Sequence, residues 1–431
     1  MTYVTEIRED LLQYVWRTRK FLAYPLLTEE GETIEIIQYG IQNSDAGPDF
    51  SHARIRINGV EWAGNVEMHV LSSLWYKHKH DKDPTYDNVI LHVVYERDCH
   101  VYRRNGSQIP CLRLKDRIPD SVLKTYVDLL TNDQTIPCAR MIGKVNTEKI
   151  SLWQHGLLIE RLKRKVQMLN RILIHQNMDW EQATFIWLAR YMGSRVNVLP
   201  FEMLARSIHV HILYKNRDQP LIIDALLFGQ AGLLESSFKD EYPNHLKNEY
   251  RFLQKKYDLQ PIDPSMWKFA RLRPIHFPTI RIAQLGGIIR TWPGLFGKLT
   301  GGYSPDWITG FSNSKMHDYW EDHYRFDQSS KSLHKGLGKQ LIHLLQINVL
   351  SPLLFLYGQE TGDSSFKDRA IEILDKLPPE NNKIIREWKS LSLQVHNAAQ
   401  SQALNHLKTE YCHHRKCTHC AIGHEVINLK L

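Results

Sequence analysis

The residues of this chain best suited to chemistry fall into two groups. The first is acidic and imidazole. Asp49 comes first, then Glu67 and His69 two residues apart, then His78 and His80 in the string KHKHDKD, and His92 a little beyond. Two carboxylates brought together offer hard oxygen ligands to Mg2+ or Mn2+. His69 beside them would orient or deprotonate a water, so Asp49, Glu67 and His69 are the candidate catalytic residues. With His78 and His80 added to Asp49 and Glu67 as ligands, the preference moves towards Mn, Fe or Zn, and residue types alone leave both versions open. The second group is thiol: Cys412-x4-Cys417-x2-Cys420 near the C-terminus, with Cys138 far upstream. A closed zinc site needs a fourth ligand, for which Cys138, His414, His419 and His424 are candidates. The same spacing with one remote cysteine also suits an iron–sulfur cluster. Either group would be structural, because protein fills every position.

A hairpin must bring the first group together. In Gly47–His69, Ala53, Ile55 and Ile57 alternate with polar residues, Asn58-Gly59 makes a two-residue turn, and Val60-Glu61-Trp62 begins the return. Pairing Ile57 with Val60 and continuing without interruption sets Asp49 opposite Met68, one residue from both Glu67 and His69. A β-bulge at Ala63-Gly64 is therefore expected, since glycine inside a strand often marks one. In a site-free alternative, Asp49 hydrogen-bonds turn backbone and Glu67 pairs with Arg54 or Arg56 across the hairpin.

The flanking segments read as supports. Glu6–Tyr24 has the apolar spacing of an amphipathic helix, with Glu9 on its charged side. Ser72–Asp87 is a polar loop with one helical turn. His78 and His80 would share a face if extended. Val89–Tyr95 is nearly continuous in apolar residues, as a buried central strand requires, and His92 inside it is expected to bond a backbone carbonyl. Val101–Arg104 and Gln108–Leu114 suggest a second hairpin around Asn105-Gly106, and Val122–Leu130 a helix. Residues 1–132 thus form an α+β domain with a mixed, hairpin-bearing sheet, and 133–146 a linker. A mostly α-helical domain follows over 147–405, then a cysteine-rich tail at 406–431. Residues 261–306 look loop-rich within the helical part.

Composition sets broad limits. The chain has 431 residues, 42% hydrophobic and 24% charged, with a net charge of +8, which is ordinary for a globular protein and only mildly favourable to anionic partners. The N-terminus has acidic residues where a signal peptide carries positive charge, and no long apolar run suggests a membrane helix, so a cytoplasmic protein without membrane partners is expected. Clustered cysteines in a reducing compartment indicate metal rather than disulfides.

Two resemblances follow from these motifs. GPDF, GNVEMH, HKHDKD, VILHVVY and the terminal cysteine pattern resemble a family of uncharacterised bacterial proteins, a domain-of-unknown-function family without established activity. Asp49 after Pro48, a hairpin, Glu67-x-His69 and a buried strand also look like the PD-(D/E)xK nuclease core. That resemblance implies a nuclease-like fold over roughly the first 115 residues, Mg2+ or Mn2+ on Asp49 and Glu67, and a first-helix acid at Glu9. His69 occupies the position of that core's lysine. Some members resemble this chain further in fastening their fold with one upstream and three C-terminal cysteines, which implies Zn2+ or an iron–sulfur cluster on Cys138, Cys412, Cys417 and Cys420.

Basic residues supply a candidate nucleic-acid contact: Arg271, Arg273 and Arg281 in RLRPIHFPTIR, where the prolines indicate a fixed loop, with Trp267, His276 and Phe277 nearby for stacking. The expected function is a metal-dependent phosphodiesterase of nuclease type acting on nucleic acid. One alternative is a non-catalytic nucleic-acid- or protein-binding scaffold with a degenerate core. The other is a His/carboxylate metalloenzyme acting on a small molecule.

Overall fold

The structure is a computed structural model that describes residues 6–43, 45–301 and 311–429. The chain divides into two units: Met1–Gln154 with Arg386–Leu393 and Leu404–Leu431, and His155–Ile385 with Gln394–Ala403. The division falls inside a helix rather than at residues 133–146, and the terminal cysteine stretch is part of the first unit rather than a separate tail. Burial is the reason, since Leu404, Leu407, Ile422 and Val426 are enclosed core residues.

The first unit is α+β, with a mixed sheet. Six strands, β1 (Ile34–Gln38), β2 (Ile41–Gln42), β3 (Phe50–Ile57), β4 (Val60–Leu71), β5 (Val89–Glu96) and β6 (Cys111–Arg113), run in the order β1-β3-β4-β5-β6, with β2 also on β3. Pairing is antiparallel from β1 and β2 through β3 to β4, and parallel from β4 through β5 to β6. β5 is buried from Val89 to Tyr95, which explains its unbroken apolar run. The second expected hairpin reduces to a single bridge between Tyr102 and Gln108. Val101 and Ile109 turn instead into a cluster with Trp75, Tyr86 and Val89, which frees Cys111–Arg113 to pair in parallel with β5.

Helix α1 (Glu9–Thr18) buries Leu11, Leu12, Tyr14, Val15 and Trp16, the amphipathic stripe that drives its packing. It ends before Tyr24 because Arg19 turns left-handed (φ 57°) and closes the last carbonyls. Later come α2 (Leu74–Lys77), α3 (Asp120–Thr131) and α4 (Thr147–His175). Asn146 starts α4 by accepting from the Glu148 N–H at 2.7 Å.

The second unit is mostly helical among its described residues, with one short antiparallel pair, His323–Arg325 with Gln328–Ser329. The loop-rich expectation for 261–306 is corrected: Pro278–Thr291 and Leu295–Thr300 are helices, and residues 302–306 lie outside the described ones. Pro278 opens the first, where a missing N–H costs nothing. Every residue from Pro278 to Ile289 is buried, so no polar face betrays a helical period. Residues 339–360 form one helix through a π turn. By length and composition it is able to cross a membrane, but 72% of its apolar window is buried inside the structure, so core packing accounts for its hydrophobicity.

Candidate metal centre

Register assembles the site, and the break lies on the strand opposite the expected one. β3 and β4 pair regularly from Ile57 with Val60 to Ala53 with Gly64, and then Phe50 pairs with Val66. Three steps along β3 are matched by two along β4, so the bulge is at Ser51-His52, with His52 left-handed at φ 59°. Asp49 thereby comes opposite Glu67 instead of Met68. Gly64 has another purpose: a methyl group there would lie 2.5 Å from the Asn88 carbonyl oxygen and from Ile90 Cγ2. It permits close approach of the chain entering β5.

The carboxylates are held closely. The Asp49 N–H donates to Glu67 Oε2 at 3.1 Å, and Asp49 Oδ2 accepts from the Met68 N–H at 3.0 Å. Gln13 of α1 donates to Asp49 Oδ1 at 2.7 Å. Arg54 and Arg56 take Glu61 and Glu35 as partners, so the expected pairing of either with Glu67 is not formed.

Glu67 points its other oxygen at imidazoles. Oε1 lies 3.6 Å from His69 Nε2 and 3.4 Å from His80 Nε2, and His69 Nε2 lies 3.2 Å from His78 Nδ1. His69, His78 and His80 each present a ligating nitrogen within 4.8 Å of the others. Bonds of about 2.0–2.1 Å to a tetrahedral ion separate its ligand atoms by about 3.4 Å. The three distances given for Glu67, His69, His78 and His80 are close to such an edge, and the compact group is the three histidines, with Glu67 against two of them. His78 and His80 converge through a turn, not a strand: Lys79 between them is left-handed at φ 63° and links α2 to the turn His80–Lys82.

Outer contacts hold the rings. His69 Nδ1 and His92 Nε2 are hydrogen-bonded at 2.8 Å, which leaves His69 Nε2 for a ligand role when Nδ1 carries the proton. His92 thus bonds a side chain rather than the expected carbonyl, and its Nδ1 is buried without a partner. Tyr86 stacks on His80 with ring centroids 3.7 Å apart.

Electrostatics favours neutral imidazoles and a retained proton on the acids. Burial, then the neighbouring histidines, pushes His69 down to about 2. Burial and His78 take His80 down to about 4, and burial and His80 take His92 to about 3. Rings so reluctant to protonate are suited to meet a cation in their neutral form. Burial raises Asp49 and Glu67, with the Asp49 charge adding at Glu67 and the nearby Glu9 at both. Glu9, half-buried and itself raised by burial, is near enough for its charge to be felt at both.

Arg271 and Arg273 are exposed in the second unit. Arg281 is only 6% exposed and is bonded to Gln284 and His276, so it is not available as a phosphate contact. A helix beginning at Pro278 replaces the fixed loop expected around it and turns the guanidinium inward. Cys138, Cys412, Cys417 and Cys420 are buried free thiols of the first unit.

Sequence reasoning missed Gln13, whose signal is one amide inside the buried run LLQYVW. It also missed a cluster in the second unit, Asp179 with His209 and His211, whose ligating atoms fall within 4.8 Å of one another. Both histidines are exposed and Asp179 caps a helix, so ordinary surface chemistry accounts for it.

A family model described as a protein of unknown function (DUF2851) matches residues 9–383. No curated protein and no solved structure matches the chain.

Proposed function

The chain belongs to the DUF2851 family, and from that premise we propose that it is a metal-dependent hydrolase of phosphate esters, with nucleic-acid phosphodiesters as its substrate class. The observation that carries this reading is the convergence of His69, His78 and His80, whose ligating nitrogens lie within 4.8 Å of one another, with Glu67 Oε1 at 3.6 Å from His69 and 3.4 Å from His80. Three imidazoles and one carboxylate favour Zn, Mn or Fe over Mg. A divalent ion held there supplies Lewis acidity and makes water a nucleophile near neutral pH.

The remaining roles fall to the chain. Asp49, oriented by Gln13 and the Met68 N–H, adjoins Glu67 and is the group that holds or takes a proton beside the ligand shell. His92 sets the tautomer of His69. Exposed Lys77, Lys79 and Lys82 alternate with the ligand histidines, and a cationic rim of that kind favours an anionic ester over a neutral small molecule.

The test combines metal content with turnover. Purified protein is analysed for metals, then assayed on a phosphodiester reporter and on mixed DNA and RNA with Mn2+, Zn2+ and Fe2+. Wild type is expected to carry about one transition-metal ion beyond any at the cysteines and to cleave. His78→Ala is expected to lose that ion, and Asp49→Asn to keep it and lose cleavage. Undiminished cleavage by both variants, or nucleic-acid binding with no such ion in the wild type, refutes the reading.

A further inference from the structure

The second unit contains a cavity of about 450 Å3 at the C-terminal end of the helix Pro278–Thr291. We propose that it binds the phosphate group of a small phosphorylated molecule, held by Arg290, Lys315 and His317. The site requires nothing of the metal centre in the first unit.

Two glycines build the site. Gly286 and Gly287 lie inside this helix, where each costs about 1 kcal/mol relative to alanine, so close packing must account for them. A methyl on Gly286 would lie 2.9 Å from Asp224 Oδ1, and one on Gly287 would lie 3.0 Å from the Lys315 carbonyl oxygen. Arg290 follows them by four and three residues, on the same face, and meets the same two partners. Its Nη2 donates to the Lys315 carbonyl, and its Nη1 lies 3.8 Å from Asp224 Oδ1. The guanidinium is thus set between a buried carboxylate and the segment 313–318, and it remains 13% exposed along the cavity.

Donors outnumber acceptors here. Asp224 Oδ2 accepts from the Tyr242 hydroxyl at 2.9 Å, while Oδ1 is too far from Arg290 for a hydrogen bond, so Nη1 has no hydrogen-bond partner. His317 Nδ1 accepts the Tyr319 N–H at 3.2 Å, which places the proton of the neutral ring on Nε2 and makes that atom a donor. The ring stacks on Tyr242 with centroids 4.2 Å apart, which fixes its plane. Lys315 and Asn313 are exposed in the lining, and among the described residues neither side chain has a hydrogen bond or ion pair. Asp318, the acid of the lining, is exposed. The carbonyls at the helix end add negative charge, which Arg290 in the last turn offsets.

A guanidinium, an ammonium and an imidazole N–H gathered on one cavity are matched by an anion with several acceptor oxygens. A carboxylate offers two oxygens in one plane. A phosphate monoester offers three around a tetrahedral centre, enough for Arg290, Lys315 and His317 together. The cavity is larger than a phosphate group requires, and Met316 and Pro220 supply apolar wall for the organic part of the ligand.

Titration calorimetry of the full-length chain tests this with phenylphosphonate, which carries the phosphate oxygens but no ester bond to hydrolyse, and with phenylacetate as a carboxylate of like size. Wild type and His78→Ala are both expected to bind phenylphosphonate, and to bind it at least about tenfold more tightly than phenylacetate. Lys315→Gln changes an exposed side chain, and His317→Phe keeps a ring against Tyr242 while removing the donor. Added to His78→Ala, each should weaken phenylphosphonate about tenfold, as the loss of one hydrogen bond to an anion does. No binding by the wild type, equal affinity for phenylacetate, or undiminished affinity in either added variant overturns the proposal. Loss of all binding in His78→Ala also overturns it, because the anion would then sit at the metal centre.

Discussion

His92 offers a test in which stability and metal affinity part company. Its ring is fully buried, its Nε2 bonds His69 Nδ1 at 2.8 Å, and its own Nδ1 has no partner. Consider His92→Leu, a side chain of similar size. It removes one unpartnered nitrogen and creates another, His69 Nδ1, each costing about 1–3 kcal/mol, so the two nearly cancel. No charge is lost, because burial holds His92 neutral, with its pKa at about 3. Stability in a chelator should thus change by no more than about 1 kcal/mol. With metal the result differs. Releasing a ligand histidine from its orienting partner weakens metal binding about 10- to 100-fold. That removes about 1.4–2.7 kcal/mol of metal-linked stabilisation at a saturating concentration. Urea melts of wild type and variant, in chelator and in the metal found in the purified protein, read both quantities. An equal loss of stability under the two conditions would mean that His92 only packs, and the reasoning about the tautomer of His69 would fall.

Two further outcomes concern the scaffold. In Gly64→Ala, the methyl 2.5 Å from the Asn88 carbonyl oxygen forces β4 from β5, so a loss of about 1–3 kcal/mol is expected with weaker metal binding, since β4 carries Glu67 and His69; an unchanged urea midpoint would contradict this. In the second unit, burial raises Asp224 to about 6, against the opposing influence of Arg290 and Tyr242. The folded chain therefore binds a proton that the unfolded chain has lost, and stability should fall by about 3 kcal/mol as pH rises from about 4 to about 6. Asp224→Asn should abolish that slope in thermal melts across this range, and a slope that survives would locate the titration elsewhere.

Helix α1 connects the two candidate sites within the first unit. Gln13 orients Asp49, while Asp10 and Arg17 accept and donate hydrogen bonds to Thr418 in the cysteine segment. One face of this short helix, with Asp10, Gln13 and Arg17 at i, i+3 and i+7, thus meets both. Its conformation is set by a buried stripe rather than by either site, which is why the stripe stood out in the sequence and the contacts did not.

Local physics made much of this protein legible from its residues alone. Alternation and Asn58-Gly59 specify the β3–β4 hairpin, the unbroken VILHVVY specifies a buried strand, and the early strand signals ending before a long helical region specify an α+β unit followed by helices. Each depends on neighbours a few residues apart, which the chain carries in its order. The sequence also determined that a register break had to exist if Asp49 and Glu67 were to face each other. Only the tertiary structure decided where. Gly64 serves the approach of β5, a strand with which the hairpin pairs only after folding, so the break moved to Ser51-His52. The same holds for the ligand shell. Glu67-x-His69 was visible as a pair, but His78 and His80 join it through the left-handed Lys79, and Gln13 and His92 come from other elements. The terminal cysteine segment reaches the chain near Cys138 through Arg415 and Asn132, 283 residues apart. Sites of this kind depend on long-range packing, which determines which side chains converge after each local segment has taken its form.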